Sequence, residues 1–461
     1  MIKKIPRKFL PLYALAGFGP NLMNTIISIY LVDALQKTGF VVNAESWTFA
    51  NKTIIAVGLF SILKFIAQCM DGIIDVPFAA MTDNLKTRWG KRRPAILMGY
   101  LPMVISYFLF CFPISYEENS VMNSIYFGLL MFVFFGAYTL SMVTYYGTYA
   151  EVTENESDRY YLSSWKAFVD TVQYAGAYAL IPVFIGMNVN IQKVALLCGP
   201  LALTMIIALL MLKERSTRPE DVAKYAAEEG IEVAEKELPL MESVRMTVRN
   251  KDFMAWLGML GAFFFGLQMF LSGQNVLASG PMGLNGWQVA VINSAAFAPV
   301  PLTLLIYRKI MRKKGFRVAF QSALVMFALS MLTFSFAYVN WVPSQMVRLM
   351  IGITAATFGS YAIGAFLAAP YLVPAQLAAA EAEVTGVSHP SMYFAVQGLV
   401  TAVVGAFSTG LVWPNLRNIT PGGNDLFGAH LMPYIAALGC VLAFFIAKKL
   451  PKMFDSFGKD Q

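Results

Sequence analysis

The chain has 461 residues, of which 57% are hydrophobic and only 13% charged, and its mean hydropathy of +0.58 excludes an ordinary water-soluble domain. Apolar stretches of roughly 20–30 residues recur along nearly its whole length, which points to membrane-spanning helices and not to the alternating ten-residue segments of a β-barrel. The formal net charge of +8 reads as the Lys and Arg excess of cytoplasmic loops, and no polybasic tail or RNA-binding pattern implies a nucleic-acid partner.

The N-terminal M-I-K-K-I-P-R-K has the outline of a signal peptide, but the apolar run that follows is too long for one and lacks an A-x-A site. A first span is therefore expected near 9–32, followed by spans near 53–82, 94–115, 121–150, 165–187 and 193–212. The polar segment 213–252 reads as a solvated cytoplasmic linker with one or two short surface helices. A second set is expected near 253–279, 287–307, 317–339, 344–374, 391–414 and 429–448, so that 1–212 and 253–461 form two six-helix bundles, the second with a short tail.

Loop charge sets the orientation. With both termini in the cytoplasm, the inner segments carry Lys3, Lys4, Arg7 and Lys8, the run Lys86 to Arg93, Arg159 and Lys166, the run Arg308 to Arg317, and Lys448, Lys449 and Lys452. The outer segments carry only Lys37, Lys52, Lys193 and Arg417, and a multi-pass protein of the cell membrane is the expectation. Trp47, Trp287 and Trp341, near span ends, read as interfacial anchors. Arg348, early in the tenth span, is either a snorkelling residue or a gate. Cys69, Cys111, Cys198 and Cys440 lie in apolar segments without C-x-x-C spacing, and with only His389 and His430 besides, no disulfide, metal site or cofactor is expected.

The second span holds the densest chemistry. Lys64, Gln68, Asp71 and Asp75 stand 4, 7 and 11 residues apart from the first, which returns all four side chains to one helix face within about 60°. An acid in mid-membrane costs about 2.5–3.5 kcal/mol on insertion scales, so two of them imply that this face lines a wet pathway, and a transport route is the first expectation. A buried Lys64–Asp71 pair that only pins helices is the plainer alternative, though it leaves Asp75 unmatched. Asp83 and the turn T-R-W-G-K-R-R-P follow, and the short basic segment R-K-I-M-R-K-K-G-F-R occupies the corresponding place in the second half. Two parallel six-helix halves of the major facilitator kind would produce that repetition.

The motifs D-G-I-I-D-V-P at 71–77 and T-R-W-G-K-R-R-P at 87–94 resemble the signatures of the glycoside–pentoside–hexuronide cation symporters, the melibiose-carrier-like branch of the major facilitator superfamily. Weaker similarity runs through G-F-G-P-N at 17–21, A-E-V-T-E-N-E-S-D-R at 150–159 and Y-F-A-V-Q-G-L-V at 393–400. The resemblance implies an all-α, twelve-helix polytopic protein that is no enzyme. It implies symport of a sugar or glycoside with Na⁺ or H⁺ by alternating access, with Asp71 and Asp75 in the cation site. Gln68 and Lys64 join that site on their shared face. The sequence departs from the family where Asn21 and Met142 replace sugar-contacting acids, where Ala402 replaces a lysine, and where Gln68 replaces an arginine.

The remaining polar inventory suits a polyol, whose hydroxyls need hydrogen bonds while its C–H faces stack on rings. Asn21, Asn24, Tyr138, Tyr146, Lys166, Asp170 and Gln268 are the expected solute contacts, Tyr138 and Tyr146 at positions that resemble sugar-contacting aromatics of the family. Tyr145, Tyr149, Gln173, Gln274 and Asn275 belong to the same inventory. Asp83, Arg88, Arg92 and Arg93, facing Glu381 and Glu383 of the loop 376–390, are read as a cytoplasmic gate. A monomer with a small solute, a coupling cation and the bilayer as partners is expected. The competing readings are a lipid or lysolipid carrier of the same fold and a non-transporting membrane sensor. No G-x-S-x-G, H-E-x-x-H or Walker motif supports an enzyme.

Overall fold

The structure is a computed structural model that describes residues 3–83, 85–154, 156–218, 220–221, 240–385 and 390–455. Among these, 12 helices are long and apolar enough to cross a membrane. They are α1 (Arg7–Ala34), α2 (Val57–Asp83), α3 (Arg92–Phe110), α4 (Val121–Gly147), α5 (Glu156–Gly186) and α6 (Ile191–Met211), then α7 (Lys251–Ser279), α8 (Gly286–Lys314), α9 (Phe316–Phe336), α10 (Gln345–Thr385), α11 (Met392–Arg417) and α12 (Phe427–Lys448). The twelve expected spans are all found, and a helix Leu240–Arg249 precedes α7.

Helix lengths differ from the hydropathy reading where the helix outruns its apolar stretch. α10 continues through Pro370 and Pro374 to Thr385, and α8 continues to Lys314, so its basic residues Arg312, Lys313 and Lys314 occupy the last turn of a helix. Cations there complement the partial negative charge of the carbonyl end, and Gly315, at φ +87, terminates the helix.

By contacts the chain divides into two units. The first comprises Met1–Gln36, Thr53–Ala177 and Asn190–Glu237; the second comprises Lys37–Lys52, Tyr178–Val189 and Leu238–Gln461. Against the halves read from sequence, the segment between α1 and α2 and the end of α5 group with the second unit.

In the first unit, α3 is tied to α6 by the Tyr107 and Tyr100 hydroxyls, which donate to the carbonyls of Ala195 (2.8 Å) and Ala202 (3.2 Å). Side-chain to backbone bonds of this kind replace the hydrophobic driving force that lipid removes. In the second unit α7 and α12 approach through small residues, and a Cβ on Gly266 would stand 2.6 Å from the Ala436 carbonyl oxygen. Ser408 of α11 donates to the Phe265 carbonyl of α7 at 2.7 Å, and Phe263 and Phe270 of α7 pack edge to face or tilted against Phe327 and Phe334 of α9. Arg348 is buried, its guanidinium donating to the carbonyls of Met282 (2.6 Å), Val342 (2.6 Å) and Pro343 (2.7 Å).

Of the three tryptophans read as interfacial anchors, Trp287 and Trp341 are 61% and 56% exposed, whereas Trp47 is 2% exposed and stacks on Phe40 at 5.5 Å. The reason lies in its segment, Lys37–Lys52, which is part of the second unit. Arg417, fully buried, donates to the Thr38 carbonyl and lies 4.8 Å from the Phe40 ring, while Ser279 donates to the Val42 carbonyl at 2.8 Å. Hydropathy placed Arg417 in an open outer loop because its carbonyl partner lies in a segment remote in sequence.

Candidate functional site

The site in the first unit begins with a break in α1. Pro20 has no N–H to bond the Ala16 carbonyl, which would leave a polar group stranded in an apolar surrounding. Thr204 of α6 repairs this, its hydroxyl donating to Ala16 O at 3.1 Å and accepting from Gly19 N–H at 3.0 Å. Gly19 is required by the same approach, since a Cβ there would lie 2.0 Å from the Leu201 carbonyl oxygen. A π-helical segment, Ile26–Leu31, follows the next turn. Between break and bulge, Asn21 and Asn24 are held on a short helical piece, Phe18–Thr25.

Asn21 is the hub. Its Nδ2 donates to Asp170 Oδ1 at 2.8 Å and its Oδ1 accepts from the Tyr138 hydroxyl at 3.0 Å. Asp170 forms an i,i+4 ion pair with Lys166 on α5, the lysine side chain 8% exposed and the aspartate 32%. The Lys166 ammonium lies 5.3 Å from the centroid of the Tyr146 ring, which is 40% exposed. Farther along the same helices, buried Gln173 donates to Thr25 Oγ1 at 3.1 Å and Thr25 donates to the Asn21 carbonyl at 2.9 Å. Asn21, Tyr138, Tyr146, Lys166 and Asp170 are thus brought together from α1, α4 and α5. Asn24 is half-buried and accepts from Ser28, and Gln268 is half-buried on α7 of the second unit.

On α2, Asp71 accepts a hydrogen bond from Thr139, and Lys64 is 1% exposed on the same helix face, with Gln68 between them half-buried. The side chain of Asp75 lies outside the described residues. Thr139 was missed in the sequence because a threonine in an apolar helix carries no signal of its own. Its position matters, since Tyr138 and Thr139 are neighbours on α4, one bonded to Asn21 and the other to Asp71.

At the ends of α3 and α4 a second polar cluster forms. Arg92 donates to both carboxylate oxygens of Glu151, from Nε at 3.1 Å and Nη2 at 2.8 Å. Glu214 accepts from the backbone N–H of Arg92 (3.0 Å) and Arg93 (2.8 Å), satisfying the first turn of α3. Burial raises the Glu214 carboxyl above the usual carboxylate range, against the lowering by those two N–H groups and with a further rise from the Glu151 charge. Thr217 donates to Leu85 O at 2.9 Å and accepts from Thr87 N–H at 3.0 Å, so the start of the expected linker clamps the basic turn instead of hanging free in solvent. Of the other expected gate residues, Arg88 is exposed, Arg93 half-buried, and Glu381 accepts from the Tyr393 hydroxyl at 2.7 Å within the second unit. The side chains of Asp83 and Glu383 lie outside the described residues.

The sequence profile of the MFS/sugar transport protein family matches residues 12–447. A lactose permease of Lactobacillus helveticus is 27% identical over 159 residues, 34% of this chain and 24% of the permease. The inner membrane symporter YicJ of Escherichia coli K12 is 24% identical over 160 residues, 34% of each chain. The matched stretch therefore spans about a quarter to a third of the length of these relatives. A D-xylose–proton symporter has the same fold, with a TM-score of 0.62 at 14% identity over 98% of this chain and 99% of its own. The nucleoside transporter NupG gives 0.62 at 12% identity over 95% and 98%.

Proposed function

From the premise that this chain belongs to the MFS/sugar transport protein family, we propose that it is a secondary transporter that moves a sugar or glycoside together with Na⁺ or H⁺ by alternating access. The observation that carries this reading is the network of Asn21, Tyr138, Asp170, Lys166 and Tyr146. It offers amide and carboxylate acceptors, amide, ammonium and phenol donors, and a half-open aromatic face. A pyranose presents the complement, hydroxyls around its rim and C–H groups on its faces. Asp170 and Lys166 supply charge where Asn21 and Met142 do not.

Asp71 is the proposed coupling group, because a hard cation takes oxygen ligands and Asp71 and Thr139 put a carboxylate and a hydroxyl side by side. A proton on Asp71 would use the same pair. A change at Asp71 reaches the solute network through one peptide unit, from Thr139 to Tyr138, and this adjacency gives the two ligands a physical route to affect each other. The excess of Lys and Arg on one set of loops supports the reading that both termini face the cytoplasm of a multi-pass cell-membrane protein.

Counterflow tests the reading. Proteoliposomes preloaded with lactose, melibiose or D-xylose should take up the labelled form of at least one transiently, and Asn21→Ala should abolish that uptake. Counterflow of none of a broad saccharide panel, with counterflow of a labelled lysolipid, would replace the sugar by an amphiphile.

A further inference from the structure

Three buried amides of the second unit are not used by the site described above. Gln274 and Asn275 lie on α7 and Asn293 on α8, exposed by 4%, 2% and 1%. Neither the nitrogen nor the oxygen of Gln274 has a hydrogen-bond partner among the described residues, and the Asn275 nitrogen has none either. Most buried polar groups are paired, because an amide removed from water without a partner is costly, so three such atoms on two successive residues require a reason.

The surroundings fix how these amides are turned. Asn293 Nδ2 donates to the Tyr178 carbonyl at 2.8 Å and to Asn275 Oδ1 at 3.1 Å, which commits the Asn275 oxygen and leaves its nitrogen as the spare group. The Tyr178 hydroxyl donates to the Leu271 carbonyl at 3.3 Å, one helical turn before Gln274, and its ring stacks on Phe297 at 4.6 Å. Asn275 also lies seven residues after Gln268, so the two share a face of α7. The group contains no charged side chain.

We infer that Gln274 and Asn275, braced by Asn293 and Tyr178, form a recognition site in the second unit for the vicinal hydroxyls of a neutral polyol. The inference rests on the sugar reading and deepens it. A primary amide places one acceptor and one donor side by side, and two adjacent hydroxyls satisfy both, one donating to Gln274 Oε1 and the other accepting from Nε2. The Asn275 nitrogen supplies a further donor. An ion or an anionic solute would find no counter-charge in this group, whereas a neutral sugar needs none.

Purified wild type and Gln274→Leu, which keeps the bulk and removes the amide, would be compared by thermal shift against a panel of neutral mono- and disaccharides. The variant is expected to melt higher without sugar, because an unpaired buried amide is gone, and to bind tenfold or more weakly each sugar that stabilises wild type. An unchanged affinity together with the higher melting point overturns the inference and makes Gln274 a packing residue. If the leucine variant is not recovered folded, Gln274→Met carries the same comparison. In a background with the four native cysteines replaced by serine, Gln274→Cys should react with N-ethylmaleimide more slowly when the sugar is present. Equal rates would count against the site. A wild type that no saccharide stabilises removes the sugar reading itself, an outcome distinct from a wild type that binds and a variant that binds equally.

Discussion

Asp170→Asn should destabilise the protein through a charge left behind, not through a lost contact. Lys166 is 8% exposed and its partner 32%, so the pair lies between an exposed ion pair, about 0–1 kcal/mol, and a buried one whose breakage costs about 3–5 kcal/mol. Discounting for the solvent that reaches Asp170, about 2 kcal/mol is expected for Asp170→Asn alone. Lys166→Met leaves a partly wetted carboxylate that still accepts from Asn21, and about 1 kcal/mol is expected there. The double variant removes both charges and should recover most of the loss, which makes the coupling energy of the cycle about 2 kcal/mol. Unfolding in detergent, followed by tryptophan fluorescence on the four proteins, measures it. Additive losses, with a coupling below about 0.5 kcal/mol, would refute the claim that this pair is energetically buried.

Three further outcomes follow from the geometry. The raised Glu214 carboxyl means that folding takes up a proton, so its contribution to stability is fully present below the ordinary carboxylate value and is lost as pH rises through the folded value; Glu214→Gln should flatten that part of a melting-temperature profile measured upward from pH ~4.5. Thr204→Val keeps the shape of α6 but strands the Ala16 carbonyl and the Gly19 N–H, and about 1–3 kcal/mol of lost stability is expected, read as a lower midpoint in a thermal or denaturant scan. Thr139→Val should raise the Na⁺ concentration, or lower the pH, needed for half-maximal uptake while leaving sugar affinity at saturating cation within twofold. A variant whose cation dependence is unchanged would detach Thr139 from coupling.

The spans, their order and the polar face of α2 could be read from the sequence, because hydropathy over about twenty residues and a 3.6-residue period are local properties. The polar network around Asn21 was half legible: Asn21, Tyr138, Tyr146, Lys166 and Asp170 stood out as polar groups in apolar helices, but their convergence depends on how α1, α4 and α5 pack. What escaped were residues whose role comes wholly from a remote partner. Thr139 and Thr204 are ordinary in composition. Glu214 looked like part of a solvated linker until its carboxylate met the first N–H groups of α3. Trp47 and Arg417 carried the signal of an outer loop and are instead buried, one stacked on Phe40 and the other bonded to Thr38.

The most direct test of coupled transport is the linkage between sugar and cation. The affinity of the purified protein for a transported sugar would be measured by calorimetry with and without Na⁺, and across pH, in wild type and in Asp71→Asn. The account predicts that one cation tightens sugar binding, that the sugar tightens binding of that cation by the same factor, and that Asp71→Asn removes the factor while sugar still binds. Sugar affinity in wild type that ignores Na⁺ and pH alike, or a factor that survives in Asp71→Asn, would contradict it.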